Sequence, residues 1–195
     1  MYLSKVRLNW AQAKNPYEQH RALWHLFPHH PQEKRDFLYR VEQHVERQGA
    51  EVIMQSIRQP QHSDFLELLA VRTLNLSLQP SQRIRFRLRA NPVKTIKGEK
   101  NGTRSIRVPL IQEEQLQAWL SRKLTGSATI EELVIQKELP LHFRKQKEQR
   151  NGKIQTVLFE GILAVVDPKS LMTLMQTGIG PAKSFGCGML SVAAT

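Results

Sequence analysis

Strand-like and helix-like patterns of apolar residues alternate along the first half of the chain. A strand is predicted over 2–9, where apolar and polar residues alternate. A helix follows, because Asn15 is a suitable N-cap, Pro16 suits the first helical position, and an apolar stripe then runs up to Pro28. The other elements predicted for this half are strands over 36–45 and 50–58, joined by a turn at Gly49, a helix over 63–71 and a strand over 73–78.

The second half repeats this order of elements with additions. Its predicted elements are a strand over 83–90, a hairpin over 94–108 that turns at 101–102, a helix over 113–124, long strands over 130–143 and 153–166, a helix over 167–175, and a final strand after a glycine-rich loop. Each half then reads β-α-β-β-α-β. We therefore predict an α+β fold of two tandem ferredoxin-like (RRM-like) domains, over 1–80 and 83–195.

The loop over 178–188 holds four glycines, a proline and Lys183. Glycine permits positive φ and the close approach of another chain, and a lysine in such a loop favours a polyanion. The loop is not a mononucleotide P-loop, because it lacks the G-x-x-x-x-G-K-[ST] pattern, and Lys183 stands where a dinucleotide fingerprint has its third glycine. The structural alternative is a bulged final strand packed tightly on a neighbour.

The chain is strongly basic, and its charge is uneven. It carries 29 Lys and Arg against 17 Asp and Glu, a net charge of +12. This balance favours a nucleic acid or another anionic surface as partner. Basic residues concentrate over 83–107 and 144–153. The RIRFRLR segment of the first cluster places four arginines on one face of a strand, where guanidinium groups match a row of phosphates.

Other features narrow the setting and the chemistry. The segment over 1–10 lacks a long apolar core, and the longest apolar runs are too short for a bilayer, so we expect neither a signal peptide nor a membrane span. A single cysteine, Cys187, favours a reducing cytoplasm. His25, His29 and His30 lie close in sequence, but no C-x-x-C pattern or carboxylate cluster accompanies them, and we expect no metal or other cofactor.

His20 is the candidate for proton transfer. It lies early in the first predicted helix, one turn after Tyr17 and one turn before Trp24, so a phenol and an imidazole share a helix face. Imidazole titrates near neutrality and suits general acid–base work. The dipole at the helix N-terminus disfavours the cation whereas bound phosphates favour it, and the sequence leaves this balance open. The structural alternative is that His20 is a solvated or core residue, which is what a lone histidine on a helix usually is.

Seven segments occur in order along the whole chain and together point to a known family. They are MYLSKV, YEQHRALWHLFP, RDFLYRVE, FRLRANPVKT, RVPLI, GKIQTVLFEG and GIGPAKSFGCGML. With them the chain resembles the CRISPR repeat-processing endoribonucleases of type I-E systems, the CasE subunits of Cascade, which belong to the repeat-associated RRM-like superfamily. No distinctive segment of that family occurs over 44–78 or 127–150, so function is not transferred position by position there.

The resemblance implies metal-independent cleavage of precursor CRISPR RNA at the base of each repeat hairpin. The upstream 2′-hydroxyl attacks the adjacent phosphorus, giving a 2′,3′-cyclic phosphate and a 5′-hydroxyl. The family's catalytic histidine and tyrosine correspond to His20, for proton transfer, and Tyr17, for orienting the phosphate. Lys183 is expected to neutralise charge on the phosphorane. The residues expected to contact RNA are Arg85, Arg87, Arg89, Lys94, Lys145, Lys147, Arg150, Lys153, Gly180, Lys183 and Gly186.

The resemblance also implies partners. They are the CRISPR repeat RNA hairpin and other Cascade subunits, with which the protein keeps the mature guide RNA, and we expect a monomer in isolation. A non-catalytic RNA-binding scaffold of the same fold is the alternative function, because fold alone does not separate it from a nuclease. The pair of Tyr17 and His20 favours the enzyme. A DNA-binding module is disfavoured, because the sequence has no evident helix-turn-helix or zinc motif.

Overall fold

The computed structural model describes residues 1–28, 35–97, 105–145 and 150–195. A four-stranded antiparallel sheet with the strand order β2-β3-β1-β4 forms the N-terminal half. The elements of this half are β1 (Tyr2–Asn9), α1 (Trp10–Ala13), α2 (Pro16–Leu23), a 3-10 turn (Trp24–Leu26), β2 (Phe37–Val45), β3 (Gly49–Ser56) and β4 (Glu67–Thr73).

The C-terminal half has a second four-stranded antiparallel sheet, with the order β12-β5-β11-β8, and two separate hairpins, β6-β7 and β9-β10. Its elements are β5 (Arg83–Ala90), β6 (Val93–Lys97), β7 (Ser105–Pro109), α3 (Glu113–Leu124), β8 (Ala128–Lys137), β9 (Leu141–Lys145), β10 (Arg150–Ile154), β11 (Val157–Val165), α4 (Pro168–Thr177), a 3-10 turn (Lys183–Phe185) and β12 (Leu190–Ala194). In both sheets the first strand lies between the third and the fourth. The predicted α+β fold of two tandem ferredoxin-like domains is confirmed.

The helix predicted over 63–71 and the strand predicted over 73–78 are wrong. The chain between β3 and β4 is described throughout and contains no helix, and β4 itself occupies Glu67–Thr73. The leucines of this region fit a helical stripe as well as a strand, because a short apolar run does not distinguish the two. Pairing with β1, in a register that sets Ser4 opposite Val71, decides for the strand.

Each long strand predicted in the second half is split in two. Residues of 130–143 form β8 and β9, and residues of 153–166 form β10 and β11. The two breaks lie side by side. The Glu138 amide donates to the Thr156 carbonyl at 3.2 Å, and the Gln155 side chain donates to the Glu138 carbonyl at 2.7 Å. Beyond the break, β9 and β10 leave the sheet and pair with each other, and we call these two strands (141–145 and 150–154) the basic hairpin.

Each sheet buries one face under helices. Leu23 of α2 shares a buried cluster with Phe37 and Val52 of the first sheet. In the second half, α3 and α4 contribute apolar residues to a separate cluster around the strands; these residues are Leu116, Trp119, Leu120, Leu124, Leu171 and Met175. Among the helices that the structure describes, none is long and apolar enough to cross a membrane.

Polar bonds from buried side chains join the two halves. Arg40, 5% exposed, donates from Nη1 to the Arg87 carbonyl at 3.3 Å and to Ser191 Oγ at 3.0 Å. Gln55, also buried, donates from Nε2 to the Met175 carbonyl at 2.7 Å. Leaving a buried polar group unpaired costs free energy, so these hydrogen bonds stabilise the contact between the two halves. The candidate site lies along this junction.

Candidate active site at the domain junction

Helix α2 presents both members of the predicted catalytic pair. Asn15 is extended, and its Oδ1 accepts a hydrogen bond from the Tyr17 amide at 3.2 Å. Pro16 occupies the first helical turn, so the predicted helix start is confirmed. Tyr17 and His20 are both half-buried. Three residues apart on a helix, they occupy neighbouring positions on one face.

The imidazole of His20 packs against two aromatic side chains. Its ring centroid is 5.5 Å from that of Phe37 and 6.2 Å from that of Trp24, which it meets edge-on. Phe37 and Trp24 also contact each other, with their centroids 5.2 Å apart. The Nε2 atom of His20 is buried and has no hydrogen-bond partner within the described parts of the chain. A buried polar atom without a partner costs free energy, so a hydrogen bond to a group that a substrate brings into the site would be favourable.

The surroundings of His20 keep its imidazole neutral. Burial first, and then the positive charge of Arg35, lower the pKa of His20 from 6.5 to about 4. The sequence left open a balance between the helix dipole and bound phosphates, and the structure adds burial as a third contribution. At pH 7 the free protein therefore offers a neutral imidazole, which is the form that accepts a proton.

Arg35 is a site residue that sequence reasoning missed. It lies just before β2, and its positive charge lowers the pKa of both His20 and Lys183. The RDFLYRVE segment contains the signal that could have found it. In extended chain, Arg35 has the same parity as Phe37, the strand residue that contacts His20.

The glycines of the loop over 178–188 serve close packing. A Cβ on Gly180 would come within 2.9 Å of the Trp119 ring, and one on Gly186 within 3.2 Å of the Tyr39 ring. Both have positive φ, near 80°, which glycine adopts without strain. These glycines thus fit the packing alternative that the sequence offered, and direct RNA contacts by Gly180 and Gly186 stay a prediction.

Lys183 lies in the 3-10 turn of this loop, beside helix α2. Its Nζ donates to the Thr177 carbonyl at the end of α4, at 2.6 Å. Burial, and then the charges of Arg35 and Lys123, lower the pKa of Lys183. The loop is fixed at its other side by the Tyr39 hydroxyl, which donates to the Ser184 carbonyl at 2.9 Å. Lys183 is thus held in a partly buried, positively charged region near His20.

The basic hairpin is anchored to both α2 and the glycine loop. Asn15 Nδ2 donates to the Arg144 carbonyl at 2.7 Å. The ring of Phe143 contacts that of Phe185, with their centroids 4.5 Å apart. An open groove of about 470 Å³ runs between the hairpin and the start of α2. Its lining is mostly polar or basic and consists of Lys14, Asn15, His142, Phe143, Arg144, Asn151 and Gly152.

Four other predicted RNA contacts lie on the strands of the two hairpins. Lys145 and Arg150 are paired in register at the far end of the basic hairpin. Lys153, exposed, pairs with His142 nearer its base. Lys94 is exposed on β6 of the other hairpin, and Lys147 lies outside the described residues.

The four arginines of β5 share one face of the strand, because the residues between them (Ile84, Phe86 and Leu88) are buried. Carboxylates already occupy this face. Arg87 donates from Nε to Glu160 at 2.6 Å and from Nη1 to Glu42 at 3.0 Å. Arg87 therefore contributes to the junction between the halves, and a phosphate would have to replace these carboxylates.

Arg89 and Arg85 have different surroundings on the same strand. Arg89 forms a two-bond ion pair with Glu138, through contacts of 2.7 and 2.8 Å, and donates to the Val41 carbonyl at 2.8 Å. Arg85 donates to the Ala194 carbonyl at 3.2 Å, and within the described residues it forms no ion pair with a carboxylate. RNA binding by Arg85, Arg87 and Arg89 stays a prediction.

The described residues bring together no group of three or more His, Cys, Asp or Glu side chains that could hold a metal ion. Of the three neighbouring histidines in the sequence, His29 and His30 lie outside the described residues, and the imidazole of His25 stacks on Phe65, with centroids 4.6 Å apart. Cys187 is buried, and burial raises the pKa of its thiol to about 12.

Known proteins resemble the chain over its full length. A family described as "CRISPR associated protein" matches residues 1–194. The chain is 42% identical over 199 residues to the CRISPR system Cascade subunit CasE of Escherichia coli (strain K12), across 99% of each chain. The similarity therefore extends over nearly all of both sequences.

Two solved structures extend the similarity to the fold. The chain is similar to the CRISPR-associated protein Cas6e from Escherichia coli str. K-12, with 41% identity, a TM-score of 0.89 and coverage of 100% of both chains. It is also similar to the CRISPR endoribonuclease Cse3 bound to 19 nt RNA, with 33% identity and a TM-score of 0.81, across 99% of this chain and 100% of that one.

Proposed function

This chain belongs to the CRISPR-associated protein family, and we propose that it is an endoribonuclease that cleaves precursor CRISPR RNA at the base of each repeat hairpin. The observation that carries the proposal is the neutral imidazole of His20, whose Nε2 has no partner within the described chain. Helix α2 sets it where the glycine loop and the basic hairpin meet. Similarity to a CRISPR endoribonuclease bound to RNA supports the same function.

The RNA supplies its own nucleophile in this reaction, which therefore proceeds without a metal ion. The 2′-hydroxyl oxygen upstream of the cut bonds to the adjacent phosphorus as the bond from phosphorus to the 5′-oxygen breaks. His20 accepts the 2′-hydroxyl proton, because its imidazole is neutral, and water on the opposite side of the phosphorus protonates the leaving 5′-oxygen. The imidazolium then returns its proton to the solvent. The products are a 2′,3′-cyclic phosphate and a 5′-hydroxyl.

Two neighbours of His20 act on the scissile phosphate. The phenol of Tyr17, one helical turn away, orients the phosphate for in-line attack. Lys183 exchanges the Thr177 carbonyl for a phosphate oxygen and so stabilises the charge that develops on the phosphorane. Its lowered pKa reflects a site where extra negative charge is favourable.

The RNA stem binds along the basic hairpin, whose base is tied to the start of α2 through Asn15. In a duplex RNA the major groove is deep and narrow, so this contact is made to the backbone and the shape of the stem. After cleavage the protein keeps the mature guide and enters a Cascade assembly. The similarity of the chain to a Cascade subunit supports this step.

Cleavage of a repeat hairpin RNA in EDTA tests the proposal. The purified protein should cut the RNA once, at the base of the stem, and leave a 2′,3′-cyclic phosphate on the upstream product. An RNA with 2′-deoxyribose just upstream of the cut should bind and stay intact. A requirement for added divalent ions, or cleavage of the deoxy substrate, would contradict the mechanism. Tight binding without any cleavage would favour the non-catalytic scaffold instead.

A further inference from the structure

Arg35 reaches the site from the extended segment that leads into β2. Its neighbour Asp36 has the opposite parity and binds Arg58 with two hydrogen bonds, of 2.7 and 3.0 Å. Arg35 has the parity of Phe37, whose ring contacts the imidazole of His20. The acidic residue next to Arg35 in sequence is therefore committed elsewhere, and Arg35 faces His20.

Within the described residues, the guanidinium of Arg35 has an unpaired donor. Arg35 is half-buried, and its Nε is buried without a hydrogen-bond partner among the residues that the structure describes. Burial lowers the pKa of Arg35. A partly desolvated cation without a carboxylate costs free energy, and this cost is offset when an anion binds.

Two further cations share this region. Lys183 feels the charge of Arg35 and that of Lys123, which is exposed in the last turn of α3. Within the described residues, none of the three forms an ion pair with a carboxylate. Lys183 therefore repels both Arg35 and Lys123, and Arg35 also acts on the neutral imidazole of His20, so a negative group that enters this region is stabilised. A phosphate of the substrate is that group if the chain cleaves RNA.

We propose that Arg35 is a further catalytic residue, whose guanidinium donates hydrogen bonds to the non-bridging oxygens of the scissile phosphate beside His20. This inference rests on the proposed function. Arginine suits the task because its planar fork donates two parallel bonds to a phosphate. Arg35 forms no covalent bond and transfers no proton. Its hydrogen bonds strengthen as the phosphorane gains charge, and they lower the barrier.

Single-turnover cleavage of a repeat hairpin RNA by the whole protein tests this role. Arg35→Gln should slow cleavage by about 100-fold or more, because it removes both charge and fork. Arg35→Lys should recover only part of that loss, because it restores the charge alone. The affinity for the 2′-deoxy hairpin should change much less than the rate. Arg7→Gln is the matched control, since Arg7 pairs with Glu51 on the sheet face opposite α2, and it should cleave at the wild-type rate.

Sulfur substitution at the phosphate separates a direct contact from a structural role. Each non-bridging oxygen of the scissile phosphate is replaced by sulfur in turn, and the two stereoisomers are cleaved separately. If Arg35 binds one of these oxygens, the wild type slows on that isomer, and Arg35→Gln largely loses the difference between the isomers. A variant that is merely misfolded slows equally on both.

The possible outcomes separate this inference from the function on which it rests. Wild-type cleavage together with near-wild-type cleavage by Arg35→Gln would overturn the role of Arg35 and leave the endoribonuclease proposal standing. An unchanged difference between the sulfur isomers in the variant would overturn it as well. A wild type that binds the hairpin and never cuts would overturn both proposals.

Discussion

The side chain of Asn15 joins the start of helix α2 to the main chain of Arg144, 129 residues away, through a 2.7 Å hydrogen bond from Nδ2 to the carbonyl. The Oδ1 atom of the same side chain accepts from the Tyr17 amide at 3.2 Å and from the Arg144 amide at 3.4 Å. One amide group thus caps α2 and fixes the basic hairpin against it. The placement of the basic hairpin, the proposed RNA-binding surface, relative to His20 therefore depends on Asn15.

Asn15 variants should separate capping from hairpin docking. Asn15→Ala loses both functions, and we expect it to unfold more easily in urea, by about 0.5–2 kcal/mol. Asn15→Asp keeps a capping oxygen but loses the donor to Arg144, so its stability should stay closer to that of the wild type while its cleavage rate falls. Wild-type cleavage by Asn15→Asp would show that the bond to Arg144 does not position the hairpin.

Replacing His20 tests the assignment of proton transfer. His20→Ala should lower the single-turnover cleavage rate at least about 100-fold, while the affinity for the hairpin RNA is retained. His25→Ala is the matched control, because His25 is an exposed histidine one turn and a half further along the same segment. Near-wild-type cleavage by His20→Ala, measured beside that control, would show that His20 is not the catalytic group.

The lowered pKa of His20 predicts how stability depends on pH. In the unfolded chain His20 takes up a proton below about pH 6.5, whereas in the folded protein its pKa is about 4. Between these values the unfolded state binds more protons, so acidification destabilises the fold. The stability that neutral His20 contributes is fully present above its unfolded pKa and is lost as the pH falls from there to its folded pKa. Below about pH 4 this contribution changes little.

Urea unfolding at pH 7 and pH 5 measures this contribution. The wild type should lose more stability over this step than His20→Gln, because the glutamine that replaces His20 does not titrate and the other six histidines are the same in both proteins. The ion-paired Asp36 and the capping Asp167, whose pKa values are lowered, are present in both proteins, so the difference between the proteins isolates His20. Equal losses in both proteins would mean that burial does not hold His20 neutral.

Elements with strong local signals were predictable from the sequence. The helix predicted over 113–124 coincides with α3, and Asn15 and Pro16 mark the start of α2 as expected. The segment that became β4 has an apolar pattern that suits both helix and strand, so only its pairing with β1 decides. Local patterning fails where the partner is distant in the chain.

The same limit applies to the candidate site. That His20 and Tyr17 share a helix face was predictable, because helical spacing can be read from the sequence. Their catalytic roles are implied by the family resemblance and stay a prediction. The contact of Asn15 with Arg144 and the approach of Arg35 to His20 join segments that no local pattern connects. The carboxylate partners of Arg87 and Arg89 were missed for the same reason, because they come from other strands or connections.

Two basic positions should respond differently to loss of charge. Lys153 is exposed on the basic hairpin, so Lys153→Gln should weaken binding of the deoxy hairpin RNA and reduce the slope of log Kd against log salt by about 1, with little change in stability. Arg89→Gln leaves a mostly buried Glu138 unpaired, and it should lower the free energy of unfolding by about 1–3 kcal/mol. Arg89 contacts RNA only if its variant also flattens the salt slope under conditions where the protein stays folded. An unchanged slope in Lys153→Gln would move the RNA path away from the basic hairpin, because an exposed cation on that path must release counterions when a phosphate binds it.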